Sequence, residues 1–198
     1  MSTVFFDVDT QLDFLYPAGA LYVPGAESIV AEVAALNRYA AARGIPVIST
    51  MDAHTENDPE FQAWPPHCVA GTAGQQKPAA TLLEKRTTIP STRISTTPQD
   101  FDIRDAQQIL LEKQSVDCFT NPNLPVLLER LEADRCVIYG VVTEICVKNA
   151  AMGLLKLGRR VTVVTDAVRS LDQSSSERFF QEFAAAGGEV ATTNEIFV

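Results

Sequence analysis

The sequence lacks several features that are typical of particular protein classes. It has no apolar run near the roughly 20 residues that cross a membrane, no GxGxxG or P-loop motif, and no C-x-x-C pair among its four cysteines. The 16 basic side chains are outnumbered by 25 acidic ones, and a net charge of -9 would repel a phosphate backbone. We therefore expect no membrane or nucleic-acid partner, free thiols and a cytoplasmic location.

The composition that remains is that of an ordinary globular protein. Of the 198 residues, 46% are hydrophobic and 21% are charged, which gives enough apolar surface for a core. Chains of this length commonly form one domain. We therefore predict a single domain over residues 1–198, with a long loop at about 52–78 and an insertion at about 87–105.

Strand-like and helix-like segments alternate along the chain. Runs rich in β-formers lie near residues 4–6, 47–51, 106–112, 136–141 and 161–165, and helical spacing is found over 28–43, 125–131, 143–157 and 174–186. Such alternation is typical of right-handed β-α-β crossovers. The predicted fold is therefore a three-layer α/β/α domain with a mostly parallel, Rossmann-like doubly wound sheet.

Four polar residues end or follow the predicted strands: Asp9, Asp52, Lys113 and Cys146. Because sites in such sheets form at the carboxyl ends of the strands, we expect these four to face one crevice. Cys146 also lies in the first turn of a predicted helix, where free N–H groups and the macrodipole favour a thiolate. Asp9 could accept the thiol proton and Lys113 could stabilise negative charge. Taken singly, each residue has an ordinary alternative, such as a buried structural cysteine.

The two histidines of the chain, His54 and His67, share a segment with Asp52. One aspartate and two histidines suit zinc, iron or manganese, and three protein ligands leave positions for water or substrate. The spacing of the two histidines matches no standard zinc finger, so solvated loop histidines are the alternative.

Four segments carry a resemblance to a known family. Residues 9–14 read D-x-Q-x-D-F and resemble the opening motif of the isochorismatase-like cysteine hydrolases, and residues 140–147 resemble their nucleophile segment. Residues 52–54 and 64–72 resemble the metal-binding signature of the nicotinamidase/pyrazinamidase branch of that family. The match runs from residue 9 to about residue 166.

This resemblance implies hydrolysis of nicotinamide to nicotinate and ammonia, and a place in NAD salvage. It assigns Asp9, Lys113 and Cys146 as a catalytic triad that forms a thioester on the cysteine. It further implies a cis peptide between Val141 and Val142, with the N–H groups of Val142 and Cys146 as an oxyanion hole.

The same resemblance implies one divalent metal ion per chain, with zinc as the first expectation and iron or manganese as alternatives. It assigns the metal to three residues: Asp52, His54 and His67. Glu60 is our candidate for a fourth ligand, and water is the alternative. Phe14 and Trp64 stand where family members bind the pyridine ring. The expected partners are a small carboxamide substrate and further copies of the chain in a homo-oligomer.

The chain departs from the family pattern at three points. It has no third histidine for the metal. The stretch between His67 and Lys113 is long, so the pattern does not indicate how large a substrate the site accepts. Lys85 follows Leu-Glu as Lys113 does, but only Lys113 precedes a segment similar to the family's loop after the lysine. Glu144 replaces an aspartate that is often found there.

Other functions are compatible with parts of the sequence. A cysteine hydrolase for a different amide is the main alternative, and a binding module with an inactive triad is a non-enzymatic one. Residues 7–9 also resemble the D-x-D opening of haloacid-dehalogenase-type phosphatases, in which Asp7 would be phosphorylated beside Asp9. Gln11 stands where that motif expects threonine or valine.

Overall fold

The computed structural model describes residues 2–198, which form one sheet covered by helices. In chain order the strands are β1 (Ser2–Val8), β2 (Val47–Asp52), β3 (Arg86–Ile89), β4 (Gln108–Lys113), β5 (Ala133–Val141), β6 (Arg160–Arg169) and β7 (Glu189–Ala191). The α-helices are α1 (Leu12–Leu15), α2 (Val30–Ala42), α3 (Leu124–Arg130), α4 (Lys148–Lys156), α5 (Gln173–Ala185) and α6 (Thr193–Ile196). Turns of 3₁₀ helix lie at Ala26–Ile29, Pro59–Gln62, Ala79–Thr81, Pro98–Asp100 and Cys118–Thr120, and a π-helical turn lies at Thr143–Val147.

The seven strands lie in the order β3-β4-β2-β1-β5-β6-β7, and every neighbouring pair is parallel. The predicted parallel α/β sheet is therefore confirmed. The chain first builds the sheet on one side of β1 and then, from β5 onward, on the other. In open α/β sheets, ligands bind at the carboxyl ends of the strands beside such a reversal.

Two apolar clusters pack against opposite faces of the sheet. Successive residues of a strand point to opposite faces: Phe6 belongs to the cluster that includes residues of α3, α4 and α5, and Phe5 to the cluster that includes residues of α1 and α2. Full burial of one such side chain stabilises a fold by about 1.5–3 kcal/mol. Both faces of the central strands are thus covered, and their carboxyl ends are held in fixed positions.

Among residues 2–198, no helix combines the length and the apolar character that a membrane span requires.

The structure differs from the sequence prediction at the edges of the sheet. The insertion predicted at about 87–105 overlaps β3, an edge strand in which Arg86 and Thr88 are exposed. The sequence also does not predict β7, in which Val190 is 56% exposed. Both strands are short and only partly covered, so neither has the apolar pattern of a buried strand.

Gly140 allows β5 to approach β1 closely just before the site. Its φ angle is +118°, and a Cβ atom there would lie 2.1 Å from the carbonyl oxygen of Val8. Such a distance is far inside van der Waals contact, so only glycine fits between the carboxyl ends of these two strands.

A buried ion pair connects Asp7 on β1 to Lys77, which lies near the end of the loop predicted at about 52–78. Asp7 on β1 is fully buried, and its Oδ2 atom lies 3.4 Å from Nζ of Lys77. Thr10 Oγ1 donates to Asp7 Oδ1 at 2.5 Å and accepts from Lys77 Nζ at 3.0 Å. Ser49 Oγ donates to Asp7 Oδ2 at 2.9 Å. Both charges are thus compensated inside the protein.

Replacing Lys77 by methionine is expected to lower the free energy of unfolding by about 3–5 kcal/mol, because the Asp7 carboxylate would stay buried without its cation. The double variant Asp7→Val/Lys77→Met is expected to recover most of this loss, since two apolar side chains then replace both charges. Equilibrium urea denaturation measures both effects. A Lys77→Met variant as stable as the parent would show that the ion pair adds nothing to stability.

Candidate active site

The ends of four neighbouring strands bring the triad candidates and Asp52 together. Asp9 directly follows β1, Asp52 and Lys113 are paired in register at the ends of β2 and β4, and Cys146 lies in the π turn after β5. The Lys113 Nζ atom lies 2.9 Å from Asp9 Oδ2, 2.5 Å from Asp52 Oδ1 and 4.0 Å from Cys146 Sγ. All four side chains are buried. The four residues therefore lie together at one edge of the sheet.

Thr50 fixes the carboxyl group of Asp9. The backbone of Asp9 has a φ angle of +49°, in the left-handed region that non-glycine residues rarely adopt. Its N–H donates to the carbonyl oxygen of Thr50 at 3.1 Å, and Thr50 Oγ1 donates to Asp9 Oδ1 at 2.7 Å. These bonds hold the unusual backbone and leave Oδ2 facing Lys113. Thr50 was not among the residues that the sequence indicated for the site.

Burial and the ammonium group of Lys113 together determine the pKa values in this cluster. Burial would lower the pKa of Lys113, but the carboxylates of Asp52 and Asp9 raise it well above its ordinary value. Burial favours the neutral form of Asp52, but Lys113 and His54 lower its pKa. For Asp9, burial outweighs the effect of Lys113, and the pKa is raised. Lys113 is therefore cationic, and Asp9 holds a proton more readily than Asp52 does.

The surroundings of Cys146 favour the neutral thiol, contrary to the expectation from its place near a helix start. Burial raises the pKa of the thiol well above its ordinary value; Lys113 lowers it, and the carboxylates of Asp9 and Asp52 raise it further. Asp9 and the thiol both lie beside Lys113, whose Nζ atom is 2.9 Å from Asp9 Oδ2 and 4.0 Å from Cys146 Sγ. The group proposed to accept the thiol proton therefore belongs to the same buried cluster as the thiol.

The predicted metal ligands form a second cluster on the other side of Asp52. Asp52 Oδ2 lies 3.8 Å from His54 Nε2 and 3.9 Å from His67 Nε2, and Glu60 Oε1 lies 4.0 Å from both of these ring nitrogens. Atoms that share one ion at about 2.0–2.2 Å lie roughly 3–4 Å apart. The Asp52, His54 and His67 atoms therefore have the spacing of a metal site.

The loop backbone and two oxygen atoms orient the histidines. His54 and Val69 form a parallel bridge that brings the two ends of the loop together. The Nδ1 atom of His54 lies 3.1 Å from Asp58 Oδ2, and Nδ1 of His67 donates to the carbonyl oxygen of Pro65 at 2.8 Å. Both rings thus present Nε2 to the cluster. Within residues 2–198, the buried His54 Nε2 has no hydrogen-bond partner, as expected of a metal ligand.

A cleft joins the two clusters. Its lining residues are Phe14, Leu21, Asp52, Glu60, Trp64, His67, Val116, Val142, Ile145, Cys146 and Leu171. The two predicted ring-binding residues, Phe14 and Trp64, therefore line the same cleft as the thiol. None of the described side chains of the 87–105 segment lines this cleft. The peptide bond between Val141 and Val142, at the base of the cleft, is cis.

Two polar residues of the opening motif support the site without lining the cleft. The side-chain amide of Gln11 donates to the carbonyl oxygens of Asp52 and Gln75 at 2.9 Å, and its oxygen accepts from the Asp52 N–H at 2.7 Å. Asp13 Oδ2 accepts from the N–H of Cys68, next to His67, at 2.7 Å. The motif itself was the sequence signal for these residues, but it did not indicate their partners.

Two other residues that the sequence suggested, Lys85 and Asp7, are not part of the catalytic cluster. Lys85 is exposed just before β3, so Lys113 is the lysine of the cluster. Asp7 is fully buried and accepts from Thr10 and Ser49 beside Lys77, so it cannot act as the nucleophile of a phosphatase.

The remaining cysteines have a different environment from the nucleophile candidate. All are free and buried, and burial raises the pKa of Cys118 and Cys136 to about 12. Burial likewise raises the pKa of Cys68. Unlike Cys146, none of these three cysteines lines the cleft, which is typical of structural thiols.

The family model described as "Isochorismatase domain" matches residues 3–195. The nicotinamidase of Escherichia coli (strain K12) is 28% identical over 213 residues, which cover 93% of this chain and 92% of the relative. The nicotinamidase of Acinetobacter baylyi is 26% identical, with coverage of 96% and 92%. The crystal structure of a pyrazinamidase of Pyrococcus horikoshii in complex with zinc superimposes with a TM-score of 0.80 and 28% identity, and covers 97% of this chain and 99% of that one. Since the family model matches nearly the whole sequence, the chain belongs to the isochorismatase family.

Proposed function

We propose that this chain is a metal-dependent amidase that hydrolyses nicotinamide to nicotinate and ammonia. The observation that carries the proposal is that Cys146, which lies beside Lys113 and Asp9, lines the same cleft as Asp52 and His67 of the metal cluster. The similarity to nicotinamidases over nearly the full chain supports the choice of substrate.

Asp52, His54 and His67 would hold the metal, and Glu60 lies next to these three residues. The orphaned, buried Nε2 atom of His54 and the borderline-to-hard donor set fit a divalent ion. Zinc is our first choice, in line with the zinc complex of the Pyrococcus horikoshii pyrazinamidase. When bound, the ion supplies a Lewis acid that can take the ring nitrogen of the substrate.

The first half of the reaction transfers the acyl group to sulfur. Phe14 and Trp64 hold the ring so that the carboxamide carbon meets Cys146 Sγ, and the thiol proton passes to Asp9 as the C–S bond forms. The N–H groups of Val142 and Cys146 hold the oxyanion, and each such donor is worth roughly 10²–10³ in rate. Asp9 then protonates the nitrogen, ammonia leaves and a thioester remains.

The second half returns the enzyme to its starting state. Asp9, now ionised, removes a proton from water as the water attacks the thioester carbon. The C–S bond breaks, the sulfur recovers the proton from Asp9, and the acid product loses its own proton to solvent and is released as nicotinate. Throughout both halves, Lys113 stays cationic and compensates the negative charge that alternates between Asp9 and the sulfur.

Ammonia release from nicotinamide by the purified chain tests the proposal. We expect release that is lost after chelation and recovered when zinc, iron or manganese is added back. Full activity of a protein shown to be free of metal would contradict the metal requirement. An absence of ammonia release by metal-loaded protein would contradict nicotinamide as the substrate and direct the search to other amides.

A further inference from the structure

The loop between β6 and α5 reaches the cleft at Leu171. This side chain lines the cleft together with Ile145 and Cys146, although it is 38% exposed. An exposed leucine at the rim of a ligand cleft has apolar surface that a bound ligand can cover. Leu171 was not among the residues that the sequence indicated for the site.

Glu144 fixes the loop at this point. Its Oε1 atom accepts from the N–H groups of Leu171 at 2.9 Å and Asp172 at 2.8 Å. On the other side, Asp172 Oδ2 accepts from the N–H of Ser175 in the first turn of α5. Glu144 lies in the same π turn as Cys146. The position of Leu171 relative to the nucleophile is therefore set by hydrogen bonds on both sides of the loop.

The lining of the cleft divides into a polar part and an apolar rim. Its acidic groups and its histidine belong to the metal cluster. Apart from Glu60 and Trp64, its partly exposed residues form an aliphatic rim: Leu21, Val116, Ile145 and Leu171. Such a rim cannot select a substrate by charge or by hydrogen bonds, so it discriminates only through the space that its side chains leave.

We propose that Leu171 limits the size of the substrate at the ring edge and that Glu144 is the residue that positions it. The inference rests on the proposed function, because it assumes an aromatic amide in the cleft. A difference of one methylene group in an apolar pocket changes discrimination by about 10–200-fold. Shortening Leu171 to alanine makes room for a group of that size.

The test compares nicotinamide with 5-methylnicotinamide and 6-methylnicotinamide as substrates. For Leu171→Ala, the ratio of kcat/KM for a methylated amide to kcat/KM for nicotinamide is expected to rise about 10-fold or more for at least one of the two. The control is Leu157→Ala, which shortens another exposed leucine outside the cleft and is expected to leave both ratios unchanged.

The role of Glu144 is tested through separate kinetic constants. Glu144→Ala removes the acceptor of both loop N–H groups, and we expect KM for nicotinamide to rise about 5-fold or more with a much smaller change in kcat. Glu144→Gln keeps an oxygen acceptor and is expected to restore the parental KM. A general structural defect would instead lower kcat and stability in both variants.

Two outcomes overturn the inference in distinguishable ways. If the parent hydrolyses nicotinamide and Leu171→Ala leaves both substrate ratios unchanged, Leu171 does not limit substrate size. If the metal-loaded parent releases no ammonia from nicotinamide, the proposed function fails and this inference fails with it.

Discussion

Cys146→Ala is expected to lower the rate of ammonia release from nicotinamide by roughly 10⁴-fold or more, the range typical for loss of a nucleophile. Without Sγ no thioester can form, and the neighbouring Lys113 and Asp9 have no sulfur on which to act. The metal content should stay at that of the parent, because the thiol is outside the Asp52 and histidine cluster. Steady-state ammonia assays and elemental analysis of the same preparations measure both quantities.

Cys136→Ala is the matched control for this experiment. Cys136 lies in β5, is fully buried and, unlike Cys146, does not line the cleft. Its loss should cost some stability through a small cavity and leave kcat within a few-fold of the parent. A Cys146→Ala protein that keeps more than a small fraction of the activity would contradict covalent catalysis. A protein that loses its metal would contradict the separation of the two clusters.

Much of the site could be predicted because it follows from the topology of a parallel sheet. Asp9, Asp52 and Lys113 end or follow strands, and the ends of parallel strands meet at one edge. The two histidines lie close to Asp52 in the sequence, and their residue types already suggest a metal. The residues around Lys113 and Lys85 are alike, because both lysines follow Leu-Glu. Only the resemblance of the segment after Lys113 to the family's loop distinguished the two.

The supporting contacts could not be predicted, because they join residues that are far apart in the sequence. Nothing near Lys77 indicates that Asp7 is its partner, and nothing near Leu171 indicates that Glu144 holds its loop. The protonation of Cys146 is a related case. A place near a helix start favours the thiolate, but burial and two carboxylates favour the thiol, and burial becomes known only from the packed structure.

His54→Ala is the second variant for which we expect a large effect. Removal of this ring takes one of three buried ligands from the cluster, and the bound metal should fall from about one ion per chain to near none after dialysis. We expect KM for nicotinamide to rise more than in Asp9→Ala, because the ring nitrogen of the substrate loses its partner. Asp9→Ala should retain the metal and lose kcat, since Asp9 faces Lys113 and the thiol.

A graded variant separates loss of a ligand from loss of its orientation. Asp58→Asn keeps His54 but replaces the carboxylate that lies 3.1 Å from its Nδ1 atom. Such changes behind a ligand commonly lower metal affinity about 10–100-fold, so Asp58→Asn should bind metal weakly and recover activity when metal is added in excess. His54→Ala should not recover under the same conditions. A metal content in His54→Ala equal to that of the parent would contradict the ligand assignment, because the remaining Asp52 and His67 would then be sufficient to hold the ion.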